Sequence, residues 1–169
     1  MQKVGCAGYL CLVLAVCLLT VCILTGCADQ YPEGQILSFE DLQVTLPGDF
    51  INLNSEASGQ DAGFLYGRNT LIVKGMREAK TSLQEMTLEQ YTAAIISGNR
   101  LSCTPTRSGS GYLFTYEKTV EGTPYTYVTA AYEGSANFWI LQFYCPSENL
   151  TENQPEIEII MEGIAPVAP

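Results

Sequence analysis

Residues 138–144 read Phe-Trp-Ile-Leu-Gln-Phe-Tyr, a stretch that is apolar at nearly every position. A strand covered on one face alternates between apolar and polar residues, whereas a strand covered on both faces does not. We therefore expect this stretch to form a central strand with a layer of structure on each side. Trp139, Leu141 and Phe143 would face one layer, and Ile140 and Tyr144 the other.

The residues just before this stretch predict two neighbouring strands, at 112–117 and 125–132. Turn residues lie between the predicted strands, at Glu121-Gly122 and at Glu133-Gly134-Ser135. Short turns join antiparallel strands. The three strands are therefore expected to form an antiparallel meander that ends with the apolar strand.

Shorter strands are predicted nearer the N-terminus. Leu42-Gln43-Val44-Thr45-Leu46 alternates strictly, which is typical of a half-buried strand, and Pro47-Gly48-Asp49 would end it. Residues 64–66 and 71–73 predict two more strands. Gly67-Arg68-Asn69 would be the hairpin turn between them.

A helix is predicted to begin at Thr87. Thr87 and Gln90 have the spacing of a capping box, in which each side chain bonds a backbone N–H of the other residue. Tyr91 would lie on the buried face and Thr92 on the solvent face, and Gly98 is a suitable end.

A second helix is predicted near the C-terminus, with Thr151 and Gln154 at the same capping spacing. Its apolar stripe would include Ile157, Ile160, Met161 and Ile164, with Glu156 facing water. Residues 165–169 would be a frayed, proline-containing tail. With both faces of the sheet covered, the fold class is an α/β/α sandwich with a mainly antiparallel central sheet.

This pattern resembles the PsbP-like superfamily, whose members include the PsbP subunit of photosystem II, Mog-type nuclear import factors and DcrB-type bacterial lipoproteins. The resemblance rests on residues 42–50, the capped helix at 87–91, residues 138–143 and the closing helix, and it covers most of 36–165. It implies a binding or assembly module. No catalytic residues carry over, and a photosynthetic role is not implied.

The N-terminus carries a second resemblance. An uncharged apolar run extends from Val4 to Ile23 after Lys3, and Leu24-Thr25-Gly26-Cys27 follows it. This resembles the signal peptide and lipobox of bacterial lipoproteins, which implies cleavage before Cys27 and a diacylglyceryl group on its sulfur. The alternative is an uncleaved transmembrane anchor, because about 20 apolar residues can span a bilayer.

The lipoprotein interpretation divides the chain into four parts and places the protein on the extracytoplasmic face of a bacterial cell membrane, held there by its lipid. The parts are a signal peptide (1–26), a lipidated tether (27–35), a single PsbP-like domain (36–165) and a flexible tail (166–169).

Two cysteines, Cys103 and Cys145, remain in the predicted domain. In an exported protein they could form one disulfide, or both could stay free thiols. The sequence contains no histidine. This excludes Ser-His-Asp and Cys-His catalytic sites, and two isolated cysteines do not make a zinc site, so we expect no catalytic residues, metal or cofactor.

The formal net charge is −10, which disfavours nucleic acid as a partner. The leading hypothesis is a non-catalytic module that binds a protein or another envelope component. A second is a small-ligand carrier with a tyrosine-lined pocket, and a third is a carboxylate-based hydrolase. The pocket candidates are Tyr112, Tyr116, Tyr125, Tyr127, Tyr132 and Tyr144. The carboxylate candidates are Glu148, Glu152, Glu156, Glu158 and Glu162.

Overall fold

The computed structural model describes residues 33–54, 63–83 and 85–167. The predicted signal peptide, the motif Leu24-Thr25-Gly26-Cys27 and residues 28–32 of the predicted tether lie outside the described residues. The strands are β1 (Gln35–Ser38), β2 (Leu42–Leu46), β3 (Ile51–Asn52), β4 (Gly63–Arg68), β5 (Leu71–Ala79), β6 (Thr106–Ser108), β7 (Gly111–Val120), β8 (Thr123–Glu133), β9 (Asn137–Pro146) and β10 (Ile164–Pro166). The α-helices are α1 (Leu88–Gly98) and α2 (Leu150–Glu162), and single 3₁₀ turns cover Lys80–Ser82 and Ser147–Asn149.

Seven strands form one antiparallel sheet in the order β3-β4-β5-β9-β8-β7-β6, which we call the large sheet. The apolar strand β9 stands at its centre, as predicted. The outermost strands are short, with two residues in β3 and three in β6. The remaining strands form a small antiparallel sheet in the order β1-β2-β10.

One face of the large sheet is covered by α2 together with the small sheet. Trp139, Leu141 and Phe143 of β9 are fully buried on this face. They share one core cluster with β2 and α2, which contribute Leu42, Val44, Leu46, Ile157 and Ile160. The α/β architecture with an antiparallel central sheet covered on both faces is therefore confirmed. The small sheet, which the sequence did not predict, supplies part of one layer.

The opposite face is covered by α1. Leu88 and Tyr91 of the helix pack in a second core cluster with Phe138, Ile140 and Ala131 of the large sheet. The ring of Tyr91 stacks on that of Phe138, with centroids 4.8 Å apart. The predicted division of β9 into two faces is therefore confirmed.

The capping box of α1 is present as predicted. The Gln90 backbone N–H donates to Thr87 Oγ1 at 3.3 Å, and the Thr87 backbone N–H donates to Gln90 Oε1 at 2.9 Å. The prediction for Thr92 was wrong, because its side chain is fully buried. Its hydroxyl donates to the Leu88 carbonyl at 2.7 Å, which satisfies the buried polar group within the helix.

The predicted cap of α2 was wrong. The chain leaves β9 through the 3₁₀ turn Ser147–Asn149 and enters the helix at Leu150, so Thr151 is already helical and no side chain caps the start. The predicted tail is also corrected, because β10 contains Ala165 and Pro166 and pairs with β2. Ile164 therefore belongs to a strand and not to the helical stripe.

The β4–β5 hairpin is longer than predicted. Gly67 and Arg68 belong to β4, and the turn is at Asn69 and Thr70, where Asn69 adopts a left-handed φ of 50°. Asparagine tolerates this conformation better than most residues do. Gln35, which was assigned to the tether, belongs to β1 and pairs with Leu46.

Asp41 joins the small sheet to the turn between β8 and β9. Its carboxylate is fully buried and accepts four hydrogen bonds at 2.8–3.1 Å. The donors are the backbone N–H groups of Ala136 and Asn137, the Asn137 side-chain amide and the Trp139 indole. Burial acts to raise the pKa of Asp41, but the hydrogen bonds outweigh it and hold the pKa below its ordinary value of 3.8.

Arg68 links β4 to two other parts of the chain. Its Nε lies 2.5 Å from Asp49 Oδ2 in the turn after β2, and its Nη1 contacts Glu156 of α2. The prediction that Glu156 faces water was therefore wrong, and its side chain is only 13% exposed. The guanidinium geometry allows one cation to bind two carboxylates.

We expect Arg68→Met to lower the free energy of unfolding by about 1–2 kcal/mol, because two charge-assisted hydrogen bonds of a partly exposed group are lost. Arg107→Met is the matched control, since Arg107 is exposed and forms no ion pair with the described residues. Urea unfolding measures both variants. An equal loss of free energy of unfolding in Arg68→Met and Arg107→Met would show that the ion pairs of Arg68 contribute nothing to stability.

Candidate binding site

The large sheet extends further along its strands than α1 covers. With 11 residues, the helix is about 16 Å long at ~1.5 Å per residue. It packs over Ala131 and Ile140, which lie opposite each other on β8 and β9. The pairs further along, Thr129–Gln142 and Tyr127–Tyr144, are not part of the core cluster that the helix forms with the sheet. A cavity of about 540 Å³ lies here between α1 and the sheet, and we call it the groove.

A row of three tyrosines forms part of the groove floor. Tyr116, Tyr127 and Tyr144 are direct cross-strand neighbours on β7, β8 and β9. The centroids of Tyr116 and Tyr127 are 4.9 Å apart, and those of Tyr127 and Tyr144 are 5.0 Å apart, with interplanar angles of 2° and 20°. The ring faces therefore pack against each other. The hydroxyls lie at the ends of side chains that project from the sheet, and they are the part of the row that can contact a ligand.

Most of these hydroxyls have hydrogen-bonding capacity to spare. Gln142 Nε2 donates to the Tyr116 hydroxyl at 3.0 Å, which leaves the Tyr116 proton available. Within the described residues, the hydroxyls of Tyr127 and Tyr144 form no hydrogen bond. The Thr129 hydroxyl is fully buried beside that of Tyr116, yet it has no partner at normal hydrogen-bond geometry in the same part of the chain.

The tyrosine row remains protonated at neutral pH. Burial raises the pKa of Tyr116, Tyr127 and Tyr144 above the ordinary value of 10.0, and the neighbouring phenols add to the effect. Neutral phenols are hydrogen-bond donors. The floor of the groove therefore presents O–H groups and no phenolate.

The groove is positively charged in a protein whose net charge is −10. Lys74 lies on one side and Lys118 on the other, and neither forms an ion pair with the described residues. Glu78 is the acidic lining residue, and it accepts a hydrogen bond from Tyr91. Burial, the charge of Glu78 and this bond raise the pKa of Tyr91 to about 12.

The structure brings together half of the tyrosines predicted to line a pocket. Tyr116, Tyr127 and Tyr144 line the groove, whereas Tyr112 packs in the cluster under α1 and Tyr132 is buried on the opposite face. Sequence reasoning missed Lys74, Lys118 and Gln142. Gln142 could have been noticed as the polar residue within the apolar run of β9.

The two cysteines of the domain are free thiols. Cys145 is fully buried on the α2 side of the large sheet, where it contacts Asn153. Cys103 is half-buried on the groove side, close to Tyr116. A sheet separates the two sulfurs, which explains why no disulfide joins them. Burial raises the pKa of both thiols.

The carboxylates near α2 do not converge on the groove. Glu156 binds Arg68, and Glu158 accepts from Gln154 at 2.8 Å on the helix surface. In the part of the chain that the structure describes, no group of three Cys, Asp or Glu residues is arranged to hold a metal ion. No helix among the same residues is both long and apolar enough to cross a membrane.

No protein-family model matches the sequence, and no curated protein does. Solved structures do match. A crystal structure from Bacteroides thetaiotaomicron VPI-5482 has a TM-score of 0.55 at 12% identity, over 81% of this chain and 49% of that one, so this chain spans about half of that protein. PsbP (CyanoP) from Synechocystis sp. PCC 6803 has a TM-score of 0.51 at 5% identity, over 85% of this chain and 99% of that one.

A third structure is LpqN of Mycobacterium tuberculosis, described as involved in cell envelope biogenesis. It has a TM-score of 0.43 at 10% identity, over 81% of this chain and 92% of that one, which is too low to argue from. The likeness to CyanoP shows that the described domain has a PsbP-like fold. At such low identities the likeness extends to the fold alone.

Proposed function

We propose that the protein is an extracytoplasmic lipoprotein of the bacterial cell membrane, anchored through a diacylglyceryl group on Cys27, whose domain is a non-catalytic binding module. The anchor rests on the motif at residues 24–27. The absence of histidine and the dispersed carboxylates of α2 favour binding over catalysis. The partner is a component of the envelope.

The observation that carries the binding role is the groove. A sheet face with three adjacent tyrosines, two lysines that form no ion pair with the described residues and a cavity of about 540 Å³ is not explained by packing of the domain itself. Its volume lies in the range of small-molecule sites, about 300–1,000 Å³. The groove therefore favours a small envelope ligand, the carrier role, over a flat protein-binding surface.

We expect photo-lysine, a diazirine analogue that keeps the ammonium group, at position 118 in the groove to capture a partner in intact native cells. The same group at position 158, an exposed site on α2, should capture none. Mass spectrometry of the adducts measures both, and Cys27→Ala tests whether capture requires the anchor. Equal adducts at both positions, or none at 118, would remove the groove as the binding site.

A further inference from the structure

The groove lining carries more positive than negative charge, with Lys74 and Lys118 against Glu78, and its hydroxyl groups can donate hydrogen bonds. Tyr116, Tyr127 and Tyr144 each offer an O–H, and Lys74 and Lys118 each offer an ammonium group. The Glu78 carboxylate is engaged by Tyr91. Polar groups in a partly buried site are normally paired. A ligand that supplies acceptors and negative charge would satisfy these donors.

The tyrosine row does not suit a cationic ligand. A cation binds over the face of an aromatic ring. Tyr127 has Tyr116 on one face and Tyr144 on the other, so neither face is open. The positive charge of the lysines opposes a cation as well. The central ring therefore offers no face to a cation, whereas the hydroxyls of the row can donate hydrogen bonds to an anion.

Apolar side chains predominate at the end of the groove nearer α1, where Glu78, Tyr91 and Asn99 also line the cavity. Met76 and Ile140 lie on the sheet, and Ile95 and Leu101 come from α1 and the loop that follows it. Along β9, Ile140 and Tyr144 are four positions apart, which corresponds to about 13 Å at ~3.3 Å per residue. Apolar surface and anion-binding groups thus lie at opposite ends of one cavity.

We propose that the groove binds an amphiphilic anion, a ligand with a carboxylate or phosphate head at the tyrosine row and an apolar chain toward α1. This inference rests on the proposed function of the groove as the binding site. It specifies the chemical class of the ligand. Lys74 and Lys118 attract the head, the tyrosine hydroxyls orient it, and the apolar end holds the chain.

The test is calorimetric titration of the full chain in phosphatidylcholine nanodiscs, with empty nanodiscs subtracted. The probes are octyl phosphate, octanoate, octyltrimethylammonium and inorganic phosphate. Both octyl anions should bind at least tenfold more tightly than octyltrimethylammonium and inorganic phosphate. The relative affinity of the two octyl anions distinguishes a phosphate head from a carboxylate head.

Variants separate the groove from general electrostatics. The double variant Lys74→Met/Lys118→Met should weaken octyl phosphate binding at least tenfold. The double variant Lys80→Met/Arg107→Met removes the same charge outside the groove, and its affinity for octyl phosphate should stay within twofold of the wild-type value. Tyr127→Phe keeps the stacked ring, loses one donor and should weaken binding about threefold. Thermal unfolding of each variant confirms that it is folded.

Equal binding of octyl phosphate and octyltrimethylammonium, or unchanged binding by Lys74→Met/Lys118→Met, would overturn the proposal. Inorganic phosphate binding as tightly as octyl phosphate would do the same, because no chain would then be needed. If the titrations fail but a partner is captured at position 118, the binding role stands and only the proposed class of ligand is refuted. Failure of capture at position 118 would refute the binding role itself.

Discussion

Replacing Asp41 by alanine is expected to lower the free energy of unfolding by about 3–5 kcal/mol. The carboxylate accepts four hydrogen bonds in a site from which water is excluded. Its removal leaves the backbone N–H of Asn137 and the indole N–H of Trp139 buried without an acceptor. Buried donors that lose their partner cost more than the original bond contributed.

The neighbouring residue provides the control for Asp41. Glu40 is also a carboxylate but is exposed, so Glu40→Ala should change stability by less than about 0.5 kcal/mol. Urea or thermal unfolding of both variants measures the difference. Comparable losses for the two would contradict the assignment of Asp41 as the link between the sheets.

The pH dependence gives an independent check on Asp41. Its folded pKa is lower than its unfolded pKa, so the stabilisation is complete above the unfolded value and is lost as the pH falls through the folded one. The stability difference between wild type and Asp41→Asn should be constant from about pH 6 to 8 and should narrow below about pH 4. A difference that stays constant to pH 2.5 would refute the low pKa.

Gly75→Val is expected to destabilise the protein by about 3 kcal/mol. Gly75 lies on β5 directly opposite Phe64 of β4, whose ring covers it. A Cβ at position 75 would lie 2.1 Å from Phe64 Cε1. The ring has little room to move, because Phe64 stacks on Phe39 with centroids 5.1 Å apart, and Phe39 in turn contacts Trp139.

Two further variants test the explanation for Gly75. Gly98→Ala should not lower the free energy of unfolding, because no atom beyond its chain neighbours and its own helix backbone lies within 4 Å of the new Cβ, and alanine favours a helix. Phe64→Leu should be less harmful in the Gly75→Val background than in wild type, since a smaller side chain relieves the clash. Urea unfolding measures the free energy of unfolding of each variant. If the losses from Gly75→Val and Phe64→Leu simply add in the double variant, the Phe64 ring is not the cause of the Gly75→Val destabilisation.

The central layer of the fold could be predicted from local sequence because its signals are local. An apolar run without alternation identifies a strand covered on both faces, and a capping box identifies a helix start. The small sheet could not be predicted in the same way. Its strand β10 has three residues, includes Pro166, and exists only because it pairs with the distant strand β2. Such pairing depends on tertiary contacts.

The sequence predicted a tyrosine-lined pocket, but it could not show which tyrosines would line it. The sequence shows many tyrosines, but the alignment of Tyr116, Tyr127 and Tyr144 depends on the register of three strands. A shift of one residue would turn a side chain to the other face of the sheet. Lys74 was missed because the predicted strand stopped at Val73, whereas β5 continues to Ala79 alongside β9.

The brevity of β3 and β6 matters for a protein proposed to be concentrated on one membrane plane. Copies held at the same height would meet side by side, where the long unpaired border of a sheet invites a neighbour to add its own strand. Because β6 pairs only with residues 111–113 of β7, the outer edge of β7 from Phe114 to Val120 has no strand partner among the described residues. The exposed charges of Glu117 and Lys118 lie along this edge, and charged side chains on an edge strand discourage pairing between neighbouring copies in the crowded arrangement that an anchor would impose.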